Sequence, residues 1–146
     1  MLSSIYLLLP VLGLASWLDW KERRIPNALL FPSLLLAFLL NYLTLGSSGL
    51  LHSLSGVLVG FALLIIPYLL GGMGAGDVKL LMVIGSFGGA SFVLYSFLAG
   101  AIIGGVITLI IYIYNLTHKT RITSFPYGIP LSLGALAYLL LEYWRL

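Results

Sequence analysis

From Ile25 to Gly76 the chain carries no Asp, Glu, Lys or Arg, and from Leu80 to His118 it again carries none. Uncharged stretches of that length, built largely from Leu, Ile, Val, Phe and Gly, leave few folds open. Only 8% of the 146 residues are charged and 61% are hydrophobic, whereas about a quarter of a soluble domain is charged. The bilayer is therefore the expected solvent, and the expected fold is all-α and polytopic. At about 1.5 Å per helical residue, a hydrocarbon core near 30 Å takes about 20 residues to cross.

The apolar runs divide into six expected spans. Leu2–Leu18 is the first, with Pro10 as an expected kink. Pro26 suits the first turn of a second helix and Asn27 suits its cap, followed by Ala28–Leu45. A short GSSG turn, Gly46–Gly49, leads to Leu50–Leu70. The stretch from Val78 to Asn115 is too long for one span, and Gly88-Gly89-Ala90-Ser91 divides it into a short fourth helix, Val78–Phe87, and a long fifth, Phe92–Tyr114. The sixth runs from about Tyr127 to Tyr143. Tyr6, Trp17, Trp20, Tyr42, Tyr143 and Trp144 fall near span ends, as an aromatic belt places them. One membrane domain, residues 1–146, accounts for the whole chain, with no signal peptide expected at Met1–Ser16.

Charge sides the loops. The first carries Lys21, Arg23 and Arg24, the third Lys79, and the fifth Lys119 and Arg121, while the second and fourth carry no Lys or Arg. Cytoplasmic loops collect these residues, so the first, third and fifth are expected inside and both termini outside. No basic run interleaves with aromatics, so nucleic acid is not an expected partner. The absence of cysteine from the sequence excludes thiol catalysis and cysteine–zinc sites. No metal or cofactor is expected. The two histidines, His52 and His118, have no partner cluster and read as structural. Gly56/Gly60, Gly85/Gly89 and Gly100/Gly104 are small residues at four-residue spacing, which lets helices approach closely. Packing within the chain is the expected use.

Chemistry concentrates in the acids. Asp19 closes the first span and Asp77 opens the fourth, inside the glycine-rich Gly71–Leu81 loop, GGMGAGDVKLL. Both are placed at the membrane boundary on the cytoplasmic side, where an ionisable residue beside hydrocarbon is a candidate functional group. If they meet in a poorly solvated pocket, the two carboxylates cannot easily both ionise. One shared proton then lets the pair activate water and protonate a leaving amine. Asp77 lies at a helix N-terminus and Asp19 at a C-terminus, so the macrodipole makes Asp77 the expected base and Asp19 the expected acid. Lys79 reads equally as a topology marker or as a group tuning the pair. Arg23 and Arg24 read as topology determinants, and Glu22 as a solvated loop charge. A transporter or channel also builds sites from broken helices, but here the acids lie at the boundary and none is expected mid-bilayer. A non-catalytic assembly subunit would keep the fold and need neither Asp.

Three segments together resemble the type IV prepilin peptidases. They are Asp19 with the basic stretch and Ile25-Pro26-Asn27, then Gly74-Ala75-Gly76-Asp77-Val78-Lys79, and lastly Pro126-Tyr127-Gly128-Ile129-Pro130. The second matches the family's G-x-G-D-x-K signature and the third its P-[FY]-G segment. The resemblance implies an Asp19/Asp77 catalytic dyad, with Gly74, Gly76, Lys79, Pro126 and Gly128 shaping the site or binding substrate. It implies cleavage at the cytoplasmic face of a prokaryotic inner membrane. The cut falls after a glycine that joins a short basic leader to the hydrophobic helix of a pilin-like precursor. Longer relatives also methylate the new N-terminus and carry a cytosolic region with paired cysteines. That region is not found here, so N-methyltransferase activity is not expected. The compact form is more similar to peptidases of tight-adherence pili or to archaeal preflagellin peptidases.

Overall fold

The computed structural model describes residues 6–118 and 126–144. The start of the first expected span, and Lys119 and Arg121 of the fifth loop, lie outside the described residues. Those residues form five helices and no strand: α1 (Leu8–Glu22), α2 (Asn27–Leu45), α3 (Ser47–Leu69), α4 (Ala75–His118) and α5 (Gly128–Trp144). By length and composition α2, α3 and α4 can each cross a membrane, and α5 is a shorter apolar helix. The 44 residues of α4 are two helical limbs joined at Gly89, whose φ of 79° and ψ of −175° are not helical. The break falls inside the glycine cluster that marked the expected boundary.

Several boundaries differ from the expected ones. Pro10 lies in the first turn of α1, where a missing N–H breaks no intrahelical bond, so no kink is needed. α1 continues through Asp19 to Glu22 and stops where Arg23 turns left-handed at φ 51°. The GSSG turn shrinks to Gly46 alone, at φ 63° and ψ −140°, and Ser47 already begins α3. Asn27 does not cap α2; Pro26 occupies the cap position, with no side-chain bond.

The buried interior is largely apolar, with Leu8, Leu64, Leu80, Ile84 and Phe87 at its centre and a few small polar side chains among them, and the outside is greasy too. Leu35, Leu43, Leu51, Ile66, Leu69 and Ile102 are mostly exposed, and the six aromatics named for the belt are exposed to varying degrees. Buried positions of α3 are Gly49, Ser53, Gly56, Gly60 and Leu64. A methyl group added to Gly56 would run into the Gly85 carbonyl, and one on Gly85 into the Gly56 carbonyl. Gly100, Gly104 and Gly134 make the corresponding close approach between the second limb of α4 and α5. Apolar lipid gives helices little hydrophobic reason to associate, so such contact between backbones is what holds them together. Packing within the chain thus uses all three small-residue pairs. Gly89 adjoins both Gly56 and the His52 ring, and Gly104 meets the Pro130 side chain rather than a backbone.

The turn before Gly89 is secured by side chains. Asn41 Nδ2 donates to Ser53 Oγ at 2.8 Å and to the Ser86 carbonyl at 2.9 Å. Ser53 Oγ donates to the same carbonyl at 2.8 Å. Buried carbonyls at a helix interruption need such donors. α1 packs mainly on α5, while the first limb of α4 packs mainly against α2 and α3. Asp19 and Asp77 therefore arrive on different helix pairs.

Candidate active site

The glycine loop divides its work. Gly71, at φ 75°, ends α3, with its N–H donated to Tyr68 and that of Gly72 to Pro67. Gly74 then starts α4: its carbonyl receives the Asp77 N–H at 3.1 Å, and its own N–H donates to Asp77 Oδ2 at 3.0 Å. This is the returning half of a capping box, with Asp in the position where Glu is usual. The helix start therefore fixes the orientation of Asp77.

Asp19 is fixed differently. Its Oδ2 accepts the Gly128 N–H at 2.9 Å, a buried bond across 109 positions of sequence. Gly128 is the first residue of α5, and its N–H has no acceptor within that helix. Although Asp19 lies near the C-terminus of its own helix, its carboxylate thus sits at the N-terminus of another. The dipole argument that set the two acids apart fails here, because each carboxylate faces a helix start.

The two acids line one cavity of about 560 Å³, together with Glu22, Arg23, Arg24, Ile25, Asn27, Gly74, Gly76 and Lys79. Asp19 is 6% exposed and Asp77 8%. Both stand outside the apolar segments, at the end where the charged residues gather. Burial pushes the Asp19 carboxyl above its ordinary value, against the opposing pull of the Gly128 N–H and the Arg23 charge. Burial also lifts the Asp77 carboxyl to about 6, opposed by the Gly74 N–H and assisted by repulsion from Asp19. Repulsion from Asp19 is the smallest of the three causes at Asp77, behind burial and the Gly74 N–H.

The remaining named residues have distinct places. Lys79 Nζ donates to Asn27 Oδ1 at 2.9 Å and stands 5.7 Å from the centre of the Phe31 ring. Its contacts join the start of α4 to the start of α2 rather than reaching either acid. Gly74 and Gly76 reach the cavity, yet neither has a positive φ. A methyl on either would sit no closer than 3.4 Å to a neighbour. Crowding is found at Gly128, where an added Cβ would lie 2.6 Å from Asp19 Oδ2 and 3.0 Å from Ile25 Cδ1. Pro126 precedes that helix start and lies outside the residues lining the cavity. Sequence reasoning assigned no role to Ile25, whose side chain packs between Gly76 and Gly128, nor to Asn27 as the partner of Lys79. It also set Glu22, Arg23 and Arg24 apart from the site, whereas all three line the cavity. Among the described residues no cluster of three or more His, Asp or Glu is placed to hold a metal ion.

A second cavity, of about 500 Å³, is apolar and lies between the second limb of α4 and α5. Phe97, Gly100, Gly104, Thr108 and Leu131 line it, and Met73 and Tyr127 bring it to the chain neighbours of Gly74 and Gly128.

The model of the type IV leader peptidase family matches residues 6–109, most of the chain and both acids. The chain belongs to this family. A prepilin leader peptidase/N-methyltransferase from Pseudomonas putida is 28% identical over 120 residues, covering 77% of the present chain and 41% of the relative. This leader peptidase family member therefore spans less than half the length of that relative. No solved structure gives a significant match. The family match ends before α5, so the Gly128 contact to Asp19 comes from outside the matched segment.

Proposed function

We propose that the chain is a membrane aspartic endopeptidase that removes a short basic leader from type IV pilin-like precursors, with Asp19 and Asp77 as its catalytic pair. The observation that carries this reading is the convergence of two buried acids, from helices far apart in sequence, on one cavity of a leader peptidase family member. In the one-proton state, the ionised carboxylate takes a proton from water as that water attacks the peptide carbonyl. The protonated carboxyl then gives its proton to the leaving amine. The step as written draws on no metal or organic cofactor.

We read the helical segments as six spans: residues 8–18 of α1, α2, α3, residues 78–88, residues 90–118 and α5. Both termini then lie outside, and the acids face the cytoplasm of a prokaryotic cell. The gathering of Lys21, Arg23, Arg24 and Lys79 at the acid-bearing end supports that orientation. The substrate's hydrophobic helix docks from the lipid into the apolar groove beside Thr108 and Leu131. Its junction, extended rather than helical, then reaches the acids past Met73 and Tyr127. Lys79 holds the mouth together through Asn27. We extend the proposal to cleavage without methylation by these 146 residues.

Co-expression with a candidate precursor tests this. Shortening of the precursor that disappears in Asp19→Asn and in Asp77→Asn supports the peptidase, and the product's mass reports whether its new N-terminus is methylated. Ion flux with an intact precursor would instead indicate a transporter. Pilus assembly that needs the chain but neither Asp would indicate a scaffold.

A further inference from the structure

The Asp19 side chain is tied to α5, across 109 positions of sequence. The Gly128 N–H donates to its Oδ2, and α1 has little contact with the α4 helix that carries Asp77. Resting on the peptidase reading, we propose that Gly128 is the positioning residue of the dyad. Its N–H fixes one Asp19 oxygen and leaves the other for the reacting water, and its missing side chain is the space in which the carboxylate lies.

Three observations point the same way. The bond is short and buried, at 2.9 Å. A Cβ at Gly128 would meet both Asp19 Oδ2 and Ile25 Cδ1, and Ile25 in turn touches Gly76, the residue before Asp77. Any side chain there would displace one acid directly and disturb the setting of the other. Finally, no backbone requirement explains the glycine. Gly128 has no positive φ, and it is helical, where alanine is the better former. The remaining reasons for glycine are the space and the amide. Pro126 and Pro130 bracket the helix start, and proline's fixed φ is already suited to a first turn, which keeps the amide in place.

The charged groups around Asp19 are Asp77 and Lys79 of α4 and Glu22, Arg23 and Arg24 at the end of α1. The first turn of α5 adds no acid, so its contribution is the amide and the positive end of the helix. Loss of that donor leaves Asp19 harder to ionise.

The test uses the full chain in nanodiscs with a precursor peptide, comparing wild type, Gly128→Ala and the control Gly13→Ala, whose Cβ meets nothing within 4 Å. Gly128→Ala is expected to remain as thermostable as wild type while kcat falls about 100-fold, the scale of a misplaced reacting group. KM should stay within about twofold, and the acidic limb of the pH–rate profile should move to higher pH. Replacing the Tyr127–Gly128 amide by an ester, which deletes the N–H and adds no atoms, should move the same limb and lower kcat. A wild-type kcat and pH profile in either variant overturns the proposal, and the ester decides if the alanine variant fails to fold. Absence of cleavage by wild type would instead overturn the peptidase reading. The positioning claim would then be read from the carboxyl ¹³C titration of Asp19, where an unshifted midpoint in the ester variant overturns it.

Discussion

Replacing Asp77 by Asn should make the protein more stable, and only above a defined pH. The Asp77 carboxyl is lifted from 3.8 to about 6, first by burial. A group whose folded-state value is raised binds its proton more tightly in the folded protein than in the unfolded chain. The Asp77 contribution to stability is therefore fully present below about pH 4, is lost as pH rises towards 6, and stays absent above that. A shift of about two units at 1.36 kcal/mol per unit amounts to on the order of 3 kcal/mol. Asp77 is only 8% exposed, so solvent screening removes little of this. D77N carries no charge, keeps an acceptor for the Gly74 N–H, and is flat across the same window. Thermal unfolding of both proteins in one detergent should give equal midpoints near pH 4. Near pH 7.5 the D77N midpoint should be higher by roughly 6–12 °C, on the scaling for chains of this size. Equal midpoints at pH 7.5, or a gap that does not change with pH, would refute the claim that burial of a charge dominates at this position. In the D19N background the gap should narrow, because the neighbouring acid supplies part of the upward shift and coupled sites are not additive.

The same shift sets a pH limit on cleavage: the one-proton state is lost as pH rises past about 6, so kcat/KM should fall about tenfold per unit beyond its upper limb, as measured with a precursor peptide. A limb that lies above pH 9 would mean that another group supplies the proton. A double-mutant cycle on Lys79→Met and Asn27→Ala should return a coupling of about 0.5–1 kcal/mol in unfolding, the scale of a partly solvated pair, and zero coupling would dissolve the link between α2 and α4. Gly85→Ala should lower stability by about 1–3 kcal/mol, because its methyl enters the Gly56 carbonyl, whereas Gly105→Ala, with open space around its Cβ, should unfold at the wild-type midpoint.

What the sequence revealed and what it concealed differ by range. Charge-free runs and glycine clusters are local signals, so the helices, the break near Gly89 and the small-residue contacts could all be read from spacing. The segments around Asp19 and Asp77 singled out two acids that the fold brings to one cavity. Their electrostatic setting was not, because it depends on a contact from Gly128 to Asp19 that no local pattern encodes. The dipole of α1 was assigned to Asp19 from its position in the chain, whereas the helix end that its carboxylate faces belongs to α5. Lys79 shows the same limit: two residues from Asp77 on a helix it points elsewhere, and which residue it met, Asn27, was a matter of tertiary packing.

Stability and chemistry are placed at different points along the bundle. The contacts that hold the helices together are Gly56 on Gly85, Gly134 on Gly100, and Asn41 with Ser53 on the turn before Gly89. None of these residues lines the cavity of the acids. At the acid end, by contrast, two carboxylates are buried with one backbone donor each, and burial raises both. Replacing either acid should therefore relieve the fold while ending the chemistry, and replacing a packing glycine should do the reverse. A chain in which D19N and D77N both lowered stability at neutral pH would show instead that the acids serve the fold.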